Sequence, residues 1–141
     1  MHRSLSLTLL VALLGLGCGS TSSTKPTSEA PATSSASAAG QRSDIDVNAL
    51  QAALDSGSVR TLVDVRTPGE FAEGHVPGAV NIPLDTLGGR VSELGDGPVH
   101  VICRSGSRSS RATDLLVGEG VDATNVKGGT LAWIAAGYPT E

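Results

Sequence analysis

The chain has 141 residues, with 14 acidic and 10 basic side chains and a formal net charge of −4. It carries no basic stripe or tail, which argues against nucleic acid as a partner. Phe71, Trp133 and Tyr138 are its only Phe, Trp or Tyr residues, so there is no base-stacking platform and the core falls to Val, Leu, Ile and Ala.

His2 and Arg3 give the chain a polar, positive start, and Leu5 to Leu16 is apolar, the length of a signal-peptide core and short for a membrane span. Residues 1–18 are therefore expected to form an export signal. Its end, Leu13-Leu14-Gly15-Leu16-Gly17-Cys18, resembles the lipobox of bacterial lipoproteins: Gly17 fits the position before the cut, whereas Gly15 and Leu16 depart from the usual residues. That resemblance implies a lipid anchor on Cys18, membrane attachment in the cell envelope, and the outer membrane in preference, since Gly19 and Ser20 are not the retention-type Asp. An unlipidated Cys18 leaves a periplasmic or secreted protein. Residues 19–43 are almost entirely Ser, Thr, Ala, Pro and Gly, too poor in apolar surface to offset the entropy of ordering, and read as a flexible tether.

Residues 44–141 read as one small domain. Asp46 caps a helix with Val47, Leu50 and Leu54 on one side, ending near Gly57, and Val59 to Val65 reads as a buried strand. Thr67-Pro68-Gly69-Glu70 is a capping box with Pro in the first helical position, opening a short helix that stops at Gly74. Ala79 to Ile82 predicts a brief strand, and Leu84, Leu87, Val91 and Leu94 have helical spacing. Val99 to Ile102 is the second clear strand, followed by a helix over Ser109 to Gly118, a strand over Asp122 to Val126, and a last helix over Thr130 to Ala136. This alternation predicts an α/β fold with a central parallel sheet and helices on both faces, ligands gathering at the carboxyl ends of the strands.

Cys103 sits at such an end, opening the run Cys103-Arg104-Ser105-Gly106-Ser107-Arg108-Ser109 between a strand and a helix. Backbone N–H groups of a Gly-containing turn can converge on one atom, and the helix N-terminus adds partial positive charge to the same spot. Arg104 and Arg108 reinforce that field. A thiol so placed ionises below its free value, and the thiolate is the reactive form, which makes Cys103 a candidate nucleophile. The other cysteine, Cys18, lies in a segment of opposite character, so no disulfide is expected.

Three stretches together resemble the single-domain rhodaneses, which are thiosulfate-type sulfurtransferases. Leu62-Val63-Asp64-Val65-Arg66 running through Pro68, Glu70, Gly74-His75-Val76-Pro77-Gly78-Ala79 and Asn81-Ile82-Pro83 is similar to the family's N-terminal signature. Cys103 to Ser109 resembles its active loop, and Gly128-Gly129 through Trp133, Gly137, Tyr138 and Pro139 its C-terminal signature. The resemblance implies sulfur transfer through a persulfide on Cys103, from a small sulfur donor to a thiol or cyanide acceptor, without a cofactor. Hydroxyls of Ser105, Ser107 and Ser109 and the loop N–H groups would hold the sulfur anion, Gly106 the tight curvature, and Arg104 or Arg108 the donor oxyanion. Asp64 and Arg66 read as a structural brace.

Other readings stay in view. His75 and His100 lack companions at metal-ligand spacing and read as structural, and no metal is expected. Trp133 reads as core. A phosphatase or arsenate reductase needs five residues between its cysteine and an arginine; here Arg108 follows after four and Ser109 fills the required place. A non-catalytic sulfur-sensing or adaptor module is the second alternative. The low-pKa cysteine is expected to be exposed and oxidation-prone, and the chain a monomer, since no exposed apolar stripe stands out.

Overall fold

Five strands, all parallel, run in the order β1-β5-β4-β2-β3 in a computed structural model that describes residues 39–141. They are β1 (Arg42–Ile45), β2 (Thr61–Asp64), β3 (Val80–Asn81), β4 (Val99–Ile102) and β5 (Ala123–Val126). The helices are α1 (Val47–Asp55), α2 (Pro68–Ala72), α3 (Leu84–Leu87), continued by a 3-10 segment over Gly88–Leu94, α4 (Ser107–Gly118) and α5 (Gly129–Ala135). The export segment with Cys18, and residues 19–38 of the expected tether, lie outside the described residues. Among the described residues no helix is long and apolar enough to cross a membrane.

Side chains alternate across the strands, and each face has its own apolar cluster. Val63, Val99, Val101, Cys103 and Ala123 pack with Leu87, Leu94, Ala112 and Leu116 beneath α3 and α4. Leu62, Ile102 and Val126 pack with Val47, Leu50 and Trp133 beneath α1 and α5. Helices therefore cover both faces, as the alternation of elements requires for strands apolar on both sides. Trp133 is fully buried, and its Nε1–H donates to the Pro139 carbonyl at 2.8 Å, which fastens the chain after α5.

The local signals act as written. Asp46 accepts from the Ala49 N–H at the start of α1, and the Thr67–Glu70 capping box closes at α2, with Glu70 N–H to Thr67 Oγ1 at 3.3 Å and Thr67 N–H to Glu70 Oε2 at 3.1 Å. Several boundaries differ from expectation: β2 is shorter than the expected Val59 to Val65, and β3, β5 and α5 differ by one residue at one end or both. The ordered domain begins before residue 44: Arg42 to Ile45 form β1 on β5, and the Gly40 N–H already donates to Val117 O. This edge strand is mostly polar and exposed, so it carries no hydrophobic alternation; pairing with β5 and the Arg42–Asp114 ion pair hold it instead. α4 starts at Ser107, two residues early, because Gly106 takes a left-handed φ of 98° and serves as its cap. Beyond Leu87 the α-helix tightens into the 3-10 segment over the paired glycines Gly88 and Gly89.

Candidate active site

The site is built at the carboxyl end of β4, the centre of the sheet, where the chain leaves Ile102, turns through Cys103 to Gly106 and enters α4. Gly106 can bend the turn because it has no Cβ; one built there would stand 3.1 Å from Gly128 N, at a φ other residues avoid. From opposite the turn, α5 clamps the loop: Thr130 N–H donates to Cys103 O at 2.8 Å and Leu131 N–H to Arg104 O at 3.0 Å.

The Cys103 sulfur accepts the Gly106 N–H at 3.1 Å and lies 3.4 Å from Ser109 Oγ. Burial pushes its pKa up, while the Ser109 hydroxyl and the backbone N–H groups of Ser109, Gly106 and Ser105 pull it down; the donors prevail, and the thiol sits below its ordinary value. Arg108 adds a favourable charge–charge interaction with the sulfur. The expected exposure of the thiol does not hold: Cys103 is 1% exposed, packed into the apolar cluster under α4. Ser109, where a phosphatase carries its arginine, is itself fully buried against the sulfur.

The other loop residues divide. Ser105 and Ser107 are exposed, and among the described residues neither hydroxyl reaches the sulfur, so of the three expected hydroxyls only that of Ser109 contributes. Ser105 lies in the turn before the Gly106 cap, and the first turn of α4 carries Ser107 outward and Ser109 inward. Arg108 does not present a free fork: Nη1 and Nη2 bond to Glu70 at 2.7 and 2.6 Å, and the pair holds Glu70 down to a pKa of about 2. Arg104 is exposed and lines a groove of about 180 Å³ with Arg66, Glu70, Thr130, Leu131 and Ile134. Leu131 and Ile134, one helical turn apart, are 50% and 57% exposed, an apolar pair where none was expected.

Asp64 and Arg66 form a buried ion pair at the end of β2. Arg66 Nε lies 3.0 and 2.9 Å from the two carboxylate oxygens and Nη2 2.7 Å from Oδ2, while Nη2 also donates to Gly74 O. Asn81 ties the same turn from β3 by donating to the carbonyls of Asp64 and Arg66. His75 stacks on Phe71, with ring centroids 3.6 Å apart, and its Nε2 lies 3.6 Å from Glu141 Oε1; among the described residues no group of three metal-binding side chains converges.

Three residues matter here that sequence reasoning passed over or read too narrowly. Glu70 was legible as a cap but not as the partner of Arg108, 38 residues away. Asn125 accepts from Ser109 Oγ at 2.7 Å, and Asp44 accepts from Asn125 Nδ2 at 2.7 Å. The available signal was a lone Asn inside the buried strand β5, a polar group that has to find partners.

A model of the rhodanese-like domain matches residues 46–136. A protein of Allochromatium vinosum named sulfurtransferase is 37% identical over 99 residues, covering 69% of this chain and 92% of its own length. Among solved structures, a rhodanese-related protein from Thermoplasma volcanium superposes with a TM-score of 0.65 at 32% identity, over 70% of this chain and 97% of that one. The thiosulfate sulfurtransferase of Pseudomonas aeruginosa gives a TM-score of 0.65 at 28% identity, over 71% of this chain and 20% of that one. With the signature stretches, the parallel five-stranded sheet and the cysteine loop at its centre, these likenesses show that the chain belongs to the rhodanese-like family, whose relatives include named sulfurtransferases.

Proposed function

We propose that this protein moves sulfane sulfur from a thiosulfate-type donor to an external thiophilic acceptor through a persulfide on Cys103. The observation that carries the reading is the convergence of the Gly106 N–H and the Ser109 hydroxyl on one buried sulfur whose pKa they lower. The Cys103 thiolate attacks the outer sulfur of the donor; a sulfur–sulfur bond forms on the cysteine as the donor's own breaks, and sulfite leaves with the electron pair. The terminal sulfur of the persulfide then passes to the acceptor, and its departure regenerates the thiolate. Loop N–H groups hold negative charge at both stages in the manner of an oxyanion hole. The engagement of Arg108 by Glu70 and the exposure of Arg104 in the groove support Arg104 as the arginine that meets the donor oxyanion. Cys103 is the domain's only cysteine, so the acceptor is a separate molecule, a small thiol, a protein thiol or cyanide.

Incubating the full chain with thiosulfate and weighing it intact tests this. The expected result is a gain of one sulfur atom that is absent in Cys103→Ser and is lost on adding cyanide. A chain that gains nothing, yet binds a persulfidated protein, is an adaptor module; turnover of an aryl phosphate makes it a phosphatase.

We also propose that residues 1–18 export the protein and that Cys18 carries a lipid anchor in the cell envelope. The apolar stretch to Leu16 and the small Gly17 before Cys18 support this. Cells expressing Cys18→Ser should release the protein from the membrane fraction; an unchanged distribution removes the anchor from the account.

A further inference from the structure

The Ser109 hydroxyl has one proton and three acceptors within reach: Asn125 Oδ1 at 2.7 Å, Gly106 O at 3.1 Å and the Cys103 sulfur at 3.4 Å. Which way Asn125 points is fixed from behind. Its Nδ2 lies 2.7 Å from Asp44 Oδ1, and a carboxylate only accepts, so the amide N–H faces Asp44 and Oδ1 faces Ser109. Asp44 is held in turn by Arg42 at 3.2 Å, and Arg42 is anchored on α4 through Asp114 and the Ser110 carbonyl. Ser109 is fully buried and Asn125 is 4% exposed, so bulk water does not compete for either group.

The shortest of the three bonds takes the hydroxyl proton to Asn125. Ser109 then presents a lone pair to the sulfur, the arrangement that accepts the S–H of a neutral thiol. A thiolate needs the reverse, with the hydroxyl turned to donate to sulfur.

We propose that Asn125, oriented by Asp44, is a positioning residue that sets the reactivity of Cys103 by competing for the Ser109 hydroxyl proton. Rotation about the Cβ–Oγ bond of Ser109 exchanges the two arrangements; the proton stays on Ser109 throughout, and no covalent bond forms or breaks. Ionisation of the thiol costs the Asn125 bond as it gains the Ser109 donor, so the resting thiol is kept less ionised than the loop alone would make it. The inference rests on Cys103 as the sulfur-carrying nucleophile. The charged pairs near the loop, Arg108 with Glu70 on α2 and Asp64 at the end of β2 with Arg66 just beyond it, are left in place by the variants below.

The experiment follows the rate of iodoacetamide alkylation against pH in the full chain, read at the peptide that carries Cys103. Asn125→Ala lowers the midpoint by about half to one pH unit, the worth of one competing hydrogen bond. Ser109→Ala raises it, because the donor is lost, and Ser109→Ala/Asn125→Ala follows Ser109→Ala. Opposite signs at two bonded neighbours are the signature, since a merely loosened loop moves both the same way. Asp44→Ala, at a side chain 39% exposed, lowers the midpoint by less, and this shift disappears in the Ser109→Ala background. Should Asn125→Ala not fold, the Asp44→Ala pair of measurements decides the question, because a through-space effect of the lost charge persists without Ser109. An Asn125→Ala midpoint that rises, or an Asp44→Ala shift undiminished without Ser109, overturns the proposal. Absence of sulfur loading with these shifts intact sinks the sulfur-transfer reading and leaves the relay standing.

Discussion

Glu70 and Arg108 meet in a two-bond ion pair that ties the five-residue helix α2 to the first turn of α4, directly beside the cysteine loop. The same carboxylate closes the capping box with Thr67, so one side chain serves both the start of a helix and the charge balance of the site.

Glu70→Gln separates these two duties, because Gln at the third helical position still closes a capping box. What it removes is the negative charge facing Arg108. The freed guanidinium is expected to lower the Cys103 alkylation midpoint and to bind the donor oxyanion alongside Arg104, reducing the KM for thiosulfate several-fold. The cost in stability is about 0.5–1 kcal/mol, typical of a partly exposed pair. Steady-state kinetics with denaturant unfolding checks both; a KM that does not move shows that Arg108 has no access to the donor.

The same pair predicts an acid transition. Arg108 first, then the bonds from Thr67, hold Glu70 at a pKa of about 2 against an ordinary 4.5, over an opposing contribution from burial. Between those values the unfolded chain binds the extra proton, so the pair's stabilisation is complete above pH 4.5 and is lost as pH falls toward 2. The stability gap between wild type and Glu70→Gln should therefore close across that window. Urea midpoints at a series of acid pH values test it, and a gap that stays constant to the bottom of the window contradicts it.

The elements were legible where a local signal fixes them. Thr67 and Pro68 announce α2, Asp46 announces α1, and Val99 to Ile102 is apolar enough to name a buried strand without its neighbours. The nucleophile was legible for the same reason, since strand, cysteine, glycine turn and helix lie within one short run. The partners of that run were not. Glu70, Asn125 and Asp44 reach the loop across 38, 16 and 81 residues of chain between successive partners, and no periodicity encodes such pairings. β1 escaped because an exposed polar edge strand is specified by its neighbour β5 and by ion pairs rather than by its own pattern. The burial of Cys103 likewise follows from α4 packing across the sheet, which the loop sequence does not record.

His100 carries a second pH dependence, at the opposite face of the sheet from the cysteine. It lies in β4 between Leu62 and Thr124 in register, and its Nδ1 is buried without a hydrogen-bond partner among the described residues. Burial holds its pKa below 6.5, so the folded state resists the proton that the unfolded chain accepts. Stability is full above pH 6.5 and declines as pH falls below it. His100→Val, which suits a strand and leaves nothing to protonate, should flatten the unfolding midpoint between pH 7.5 and pH 5. An equally steep fall in the variant assigns the dependence to another group.

Gly129, the first residue of α5, shows how closely the C-terminal signature and the cysteine loop depend on each other. Its φ is 59°, and a Cβ there would overlap the Cys103 carbonyl oxygen and stand 2.6 Å from the Arg104 carbonyl carbon. Gly129→Ala therefore meets a backbone penalty of about 1 kcal/mol and a steric one that only a shift of the loop relieves. Gly137→Ala is the control: its φ is 80°, but nothing stands within 4 Å of the added carbon, so it meets the backbone penalty alone. Both variants are expected to lose stability in denaturant unfolding, Gly129→Ala by about 2 kcal/mol or more. Only Gly129→Ala should also move the Cys103 alkylation midpoint up toward that of an ordinary thiol and reduce sulfur loading, because the displaced backbone is the one that aims N–H groups at the sulfur. Equal effects of the two glycines on the cysteine would show that α5 stabilises the domain without shaping its site.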